Sequence, residues 1–128
     1  MTQKEAVARW TKSAQDNLVV ARDLMKLGHY DWALFMGQLT LEKLLKGRIV
    51  RETDETPPYI HDLVKLSILA ALVPNEEQKR QLAKITQFHI QARYEDIKKK
   101  FYGEATKVFA QEWMRTIEEF VVWIQERY

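Results

Sequence analysis

The sequence predicts an all-α fold, an antiparallel up-and-down bundle of four to five helices, with residues 1–128 forming a single domain. Three observations predict it. Four glycines and three prolines, two of them adjacent at Pro57 and Pro58, leave long stretches without a turn signal. Within those stretches apolar residues return at every third or fourth position, the step that gathers them on one helix face. No segment alternates apolar and polar residues long enough to compete as a strand, and there is no internal repeat or low-complexity tract.

A first helix is expected from about Gln3 to Leu27, with Val7, Trp10, Ala14, Ala21 and Leu24 inward and Asn17 in the same stripe; Gly28 supplies the stop. Asp31 is placed to cap a second helix from about Trp32 to Glu52. Its Leu34, Phe35, Leu39, Leu41, Leu44, Leu45 and Ile49 make an apolar surface wide enough to need neighbours on more than one side. Thr53 to Tyr59 is a loop, because consecutive prolines remove two backbone donors. A short helix follows from His61 or Asp62 to about Leu72, with Leu63, Leu66 and Ile68 or Leu69 inward. Asn75 then caps another, with Glu76 and Glu77 in its first turn and Leu82, Ile85, Phe88 and Ala92 as its stripe. The polar run from Arg93 to Lys100 leads to Gly103 and a last helix carrying Val108, Phe109, Trp113, Ile117, Phe120, Val121 and Ile124.

Composition narrows the function classes. An apolar content of 46% in 128 residues is enough for one core without disulfides or metal. The absence of cysteine removes disulfides, zinc thiolates and thiol nucleophiles, and is consistent with a reducing compartment, so the cytoplasm is the expected location. No apolar run approaches the ~20 residues of a membrane span, so no membrane association is expected. A formal charge of +2 is too small to argue for nucleic-acid binding by itself, so any basic site must be local. There is no nucleophile elbow, Gly-rich phosphate loop or dinucleotide fingerprint, and His29, His61 and His89 lack metal-ligand spacing; neither a metal nor a cofactor is expected.

Three stretches, in order, carry a resemblance: Tyr30-Asp-Trp-Ala-Leu-Phe-Met-Gly-Gln-Leu-Thr-Leu-Glu-Lys-Leu-Leu-Lys46, His61-Asp-Leu-Val-Lys-Leu66 and Gln91-Ala-Arg-Tyr94. Together they resemble the HEPN (higher eukaryotes and prokaryotes nucleotide-binding) family, in the branch found beside minimal nucleotidyltransferases. The resemblance implies a helical bundle that dimerises, in some systems encoded with a nucleotidyltransferase partner in toxin–antitoxin pairs, and in some members a metal-independent ribonuclease. Those ribonucleases use an arginine followed after four to six residues by a histidine. This sequence departs from that pattern, since no histidine follows Arg93, and the literal match from Arg22 to His29 spans the Gly28 stop. No catalytic residue is assigned, and the chain does not read as a self-sufficient enzyme.

The candidate nucleotide- or phosphate-binding residues are Arg93, Tyr94, His89, Lys46, Glu42 and Gln38. His89 and Arg93 are four apart and share a face, with Tyr94 following, so a phosphate fits Arg93 with an aromatic plane beside it. The alternative is an Arg93 paired with Glu95, Asp96 or a carboxylate of another helix, and His89 as an ordinary polar edge. Gln38, Glu42 and Lys46 also share a face, either as a solvated salt-bridge ladder or as a polar strip facing a cleft or partner. His61 is read first as a fastener of the proline loop and Asp62 as a cap. Lys98, Lys99 and Lys100, followed by Phe101 and Tyr102, form a weak phosphate-and-base motif that reads more simply as a solvated turn. The expected partners are a second copy of the chain, a nucleotidyltransferase, and a nucleotide or RNA.

Overall fold

In a computed structural model that describes all 128 residues, the chain is all-α and has six helices. They are α1 (Gln3–Leu27), α2 (Tyr30–Thr53), α3 (Leu63–Leu69), α4 (Glu76–Gln91), α5 (Glu95–Glu104) and α6 (Lys107–Gln125). The helix ends follow local chemistry. Thr2, Asp62 and Thr106 each accept a hydrogen bond from a first-turn backbone N–H. Asn75 and Gln78 form a reciprocal capping box. Gly28, at φ 81°, takes the left-handed conformation that closes α1. Asp31 is not the cap expected of it: α2 begins at Tyr30 behind His29, and Asp31 lies buried in the first turn.

The count of six exceeds the four to five expected, because Glu95–Glu104 is a helix and not a polar passage. Tyr94 is extended and restarts the chain, and Glu95 and Asp96 in the first turn oppose the positive helix end. Only Phe101 is buried from this helix, stacked on Phe88 at 5.6 Å. A single anchor gives no periodicity to read. Lys98, Lys99 and Lys100 therefore lie on α5 and not on a loop, and Gly103 is inside it.

α2 is the central element, with fifteen of its 24 residues buried. α1 runs against it in the opposite direction: Gln3 Nε2 donates to the carbonyls of Val50 and Arg51, and Lys43 Nζ donates to Ser13 Oγ at 2.7 Å. α6 runs beside α2 in the same direction. Gly37 faces Met114 and Ile117, and further along both helices the Tyr128 hydroxyl donates to the Leu44 carbonyl. Leu34, Leu41, Leu44 and Leu45 of α2 share one core with Leu63, Leu66, Leu82, Ile85, Phe88, Ile117 and Ile124. Two inward assignments do not hold. Ile68 and Leu69 face out while Ser67 and Ala70 are buried, and Val108 is exposed in the first turn of α6. No helix is long and apolar enough to cross a membrane.

Candidate functional site

Residues 38, 42 and 46 are one helical turn apart on α2, and all three are buried. Lys46 Nζ donates to Glu42 Oε2 at 3.0 Å, and Gln38 Nε2 donates to Glu42 Oε1 at 3.1 Å. The reading of these residues as a solvated ladder is corrected: the segment before α3 lies along this strip, where Gln38 also donates to the His61 carbonyl at 3.3 Å. A charge withdrawn from water needs a partner and further hydrogen bonds, and the Glu42 carboxylate has both. Burial pushes the Glu42 carboxyl up, but hydrogen bonds from His61, Lys46 and Gln38, and the Lys46 charge, outweigh it and hold it below the usual carboxylate range. Glu42 is the ionised hub of the strip.

The His61 ring completes the hub. Its Nδ1–H donates to Glu42 Oε1 at 2.8 Å, while the side chain keeps 49% of its surface exposed. It both fastens the loop, as the sequence predicts, and presents an imidazole edge to solvent. The ring is stacked on His89 of α4 with centroids 3.8 Å apart. His89 is buried, not an ordinary polar edge, and Arg93 Nη1–H donates to its Nε2 at 2.9 Å. A guanidinium only donates, so Nε2 must be the acceptor and His89 the neutral tautomer protonated on Nδ1. Burial, reinforced by the nearby charges of His61 and Arg93, holds the His89 pKa below the ordinary histidine value.

Arg93 is exposed and enters no ion pair, so the expected alternative of pairing with Glu95, Asp96 or another carboxylate is not what it does. Tyr94 precedes α5 and is 57% exposed, and its ring is not among those stacked on His61 and His89. The structure thus brings together Gln38, Glu42, Lys46, His89 and Arg93, adds His61, and leaves Tyr94 at the margin. The sequence reads His61 first as a loop fastener and only second as a proton-transfer group, because nothing in the spacing from residue 42 to 61 to 89 reveals that a proline loop folds over α2. Phe35 extends the stack, 6.0 Å from His89.

The largest groove, about 680 Å³, lies elsewhere, between α1 and α6, and is lined by Met25, Met114 and Val122 among charged residues. Arg22 is paired there with Glu118 and does not meet His29, which precedes α2. That groove holds no histidine and no buried charge. It is the larger concavity, but the buried ionisable side chains that contact one another lie in the polar cluster.

The HEPN domain family model matches residues 7–127. The chain belongs to the HEPN domain family. No curated protein matches it. Among solved structures, the crystal structure of TT1696 from Thermus thermophilus is similar, with 22% identity, a TM-score of 0.77, and coverage of 95% of this chain and 98% of that one. That likeness supports the fold. Within this HEPN domain the three resembling stretches, far apart in sequence, converge: Glu42 comes from the first, His61 from the second, and Arg93 from the third.

Proposed function

We propose that this HEPN domain binds the phosphate of a nucleotide or RNA at Arg93, flanked by the His61 and His89 imidazoles. One observation carries the reading: Arg93 is a permanent cation whose side-chain partner is a neutral imidazole, so its charge is not cancelled within the protein. A phosphate oxygen supplies the missing countercharge, and the forked guanidinium suits it geometrically. His89 fixes the fork from behind, and Glu42, through His61, fixes the stack. The test is equilibrium binding of mononucleotides and short RNA to wild type and Arg93→Ala. A loss of about tenfold to a hundredfold is expected, the range of a hydrogen bond to a charged group. Undetectable binding by the wild type, or an unaffected variant, would refute it.

In this reading the domain works as a dimer in the cytoplasm, with a separately encoded nucleotidyltransferase as a further partner in a toxin–antitoxin type of system. The breadth of α2, which by itself would argue for a dimer, is used up inside the bundle. Val19, Val20 and Val122 remain exposed on α1 and α6 and support self-association there. Light scattering that reports a monomer at micromolar concentration would remove the dimer from the proposal.

A second reading, metal-independent RNA cleavage, is favoured by the Glu42–His61 pair. With Nδ1–H held by a buried carboxylate, the other ring nitrogen of the half-exposed His61 is free to take a proton. It would remove the 2′-hydroxyl proton, O2′ would bond to the adjacent phosphorus, and the P–O5′ bond would break. The imidazolium would return the proton to O5′, leaving a 2′,3′-cyclic phosphate and a 5′-hydroxyl. His89 is less suited, since Arg93 occupies its Nε2. Cyclic phosphate ends that vanish in His61→Ala would promote this reading over binding alone.

A further inference from the structure

Trp32 belongs to neither the core nor the partly buried shell around it, yet it is held in a fixed arrangement. Its indole, 36% exposed in the first turn of α2, meets Phe35 edge-on at 5.6 Å. Phe35 is stacked on His89 at 6.0 Å, and His89 on His61 at 3.8 Å. Four rings from α2, α4 and the loop before α3 thus make one continuous ledge. Two cations flank it: Lys98 of α5 at one end, with its Nζ 5.1 Å from the Trp32 ring centroid, and Arg93 on His89, the ring next to the other end. Lys98 enters no ion pair, and the indole is the partner that holds it. The hollow beside Lys98 is lined by Asp31 and Glu95 together with Lys99 and Tyr102, so its two carboxylates are balanced by two lysines.

We infer that Trp32 is a base-stacking subsite, and that the ligand of this site is a single-stranded nucleic acid: one phosphate sits on Arg93, a neighbouring base on Trp32, and Lys98 contacts the backbone near that base. The inference rests on the phosphate reading of Arg93 and names its ligand class. Two successive ring gaps separate Trp32 from His89, so a mononucleotide anchored at Arg93 leaves the indole unused, whereas a strand reaches both. A duplex keeps its bases stacked on one another and offers none to the indole. Stacking of this kind tolerates any base, since each has a π-face.

The experiment measures fluorescence anisotropy of a labelled single-stranded RNA of about ten nucleotides, with AMP and the matching duplex as competitors. Trp32→Leu is expected to weaken single-strand binding about tenfold, the scale of one lost base stack, while AMP affinity stays within about twofold. Trp32→Phe keeps most of the affinity but loses the part of the tryptophan quenching that RNA produces. The duplex competes about tenfold less well than the single strand. If Trp32→Leu binds the strand like wild type while Arg93→Ala does not, the ledge is no subsite, although the phosphate reading stands. A Trp32→Leu protein that loses RNA and AMP alike also overturns the inference, because the indole then serves the fold. A wild type that binds neither RNA nor AMP sinks both proposals.

Discussion

The two halves of the polar cluster are built from similar residue types and behave differently. Around Glu42 the ion pair with Lys46 is buried and answered: Lys46, Gln38 and the half-exposed His61 converge on one carboxylate, and Trp10 lies 5.9 Å from the Lys46 ammonium. Around Arg93 the cation is exposed and its partner is neutral. The stacked imidazoles of His61 and His89 join the two halves. The contrast separates scaffold from site. A network closed on a buried carboxylate holds its members in place, whereas an open one keeps an unanswered charge at the surface.

The comparison breaks most visibly on the closed side. Glu42→Gln leaves Lys46 buried without its counter-charge and is expected to destabilise the fold by about 3–5 kcal/mol, read from urea denaturation. A loss below about 1 kcal/mol would mean that water enters the strip and that the half called closed is open. Gly47→Ala tests the packing behind the same strip. A Cβ there would meet the Tyr128 hydroxyl at 2.7 Å and Trp10 Cβ at 2.9 Å. The cost of such overpacking is about 1–3 kcal/mol, in part offset by the better helix propensity of alanine.

Acidification separates the halves by pH. The folded-state pKa of His89 lies below its ordinary value of 6.5, so near and below that pH the unfolded chain binds a proton that the folded chain refuses. Stability is therefore full above about pH 6.5 and falls as pH drops toward the folded value. Glu42, also depressed in the fold, contributes above its ordinary value of 4.5 and loses that contribution only as pH falls further, through its own folded value. Denaturation at a series of pH values should show a first decline that shrinks in His89→Gln and a second, more acidic one that shrinks in Glu42→Gln. A single decline untouched by His89→Gln would contradict a buried neutral imidazole.

The smallest effect on stability is expected at the open end. Arg93→Ala removes an exposed side chain bonded to a neutral ring, and the fold should stay within about 0.5 kcal/mol of wild type even as nucleotide binding is lost. A change above about 2 kcal/mol would place Arg93 with the scaffold.

Much of the fold was legible because its signals are local. Gly28, Asp62 and Asn75 act at helix ends through hydrogen bonds to residues a few positions away, so sequence and structure agree on them. Asp31 misled because a capping residue type also occurs two residues past the true cap, His29, where burial decides its place. α5 was missed because its single buried residue, Phe101, carries no period. In the cluster, the pairs 38–42, 42–46 and 89–93 follow from helical spacing and were visible as shared faces. Their burial was not, because a face says nothing of what covers it.

By itself the sequence determined an all-α chain, most helix boundaries, the membership of its faces and the family motifs, all consequences of contacts within a few residues along the chain. The tertiary structure alone decided that α6 runs parallel to α2. It alone laid the loop before α3 on the Glu42 strip and stacked His61 on His89 while leaving Arg93 without a carboxylate. Those outcomes depend on which apolar faces meet, and periodicity fixes only that each face must be covered, not by which neighbour.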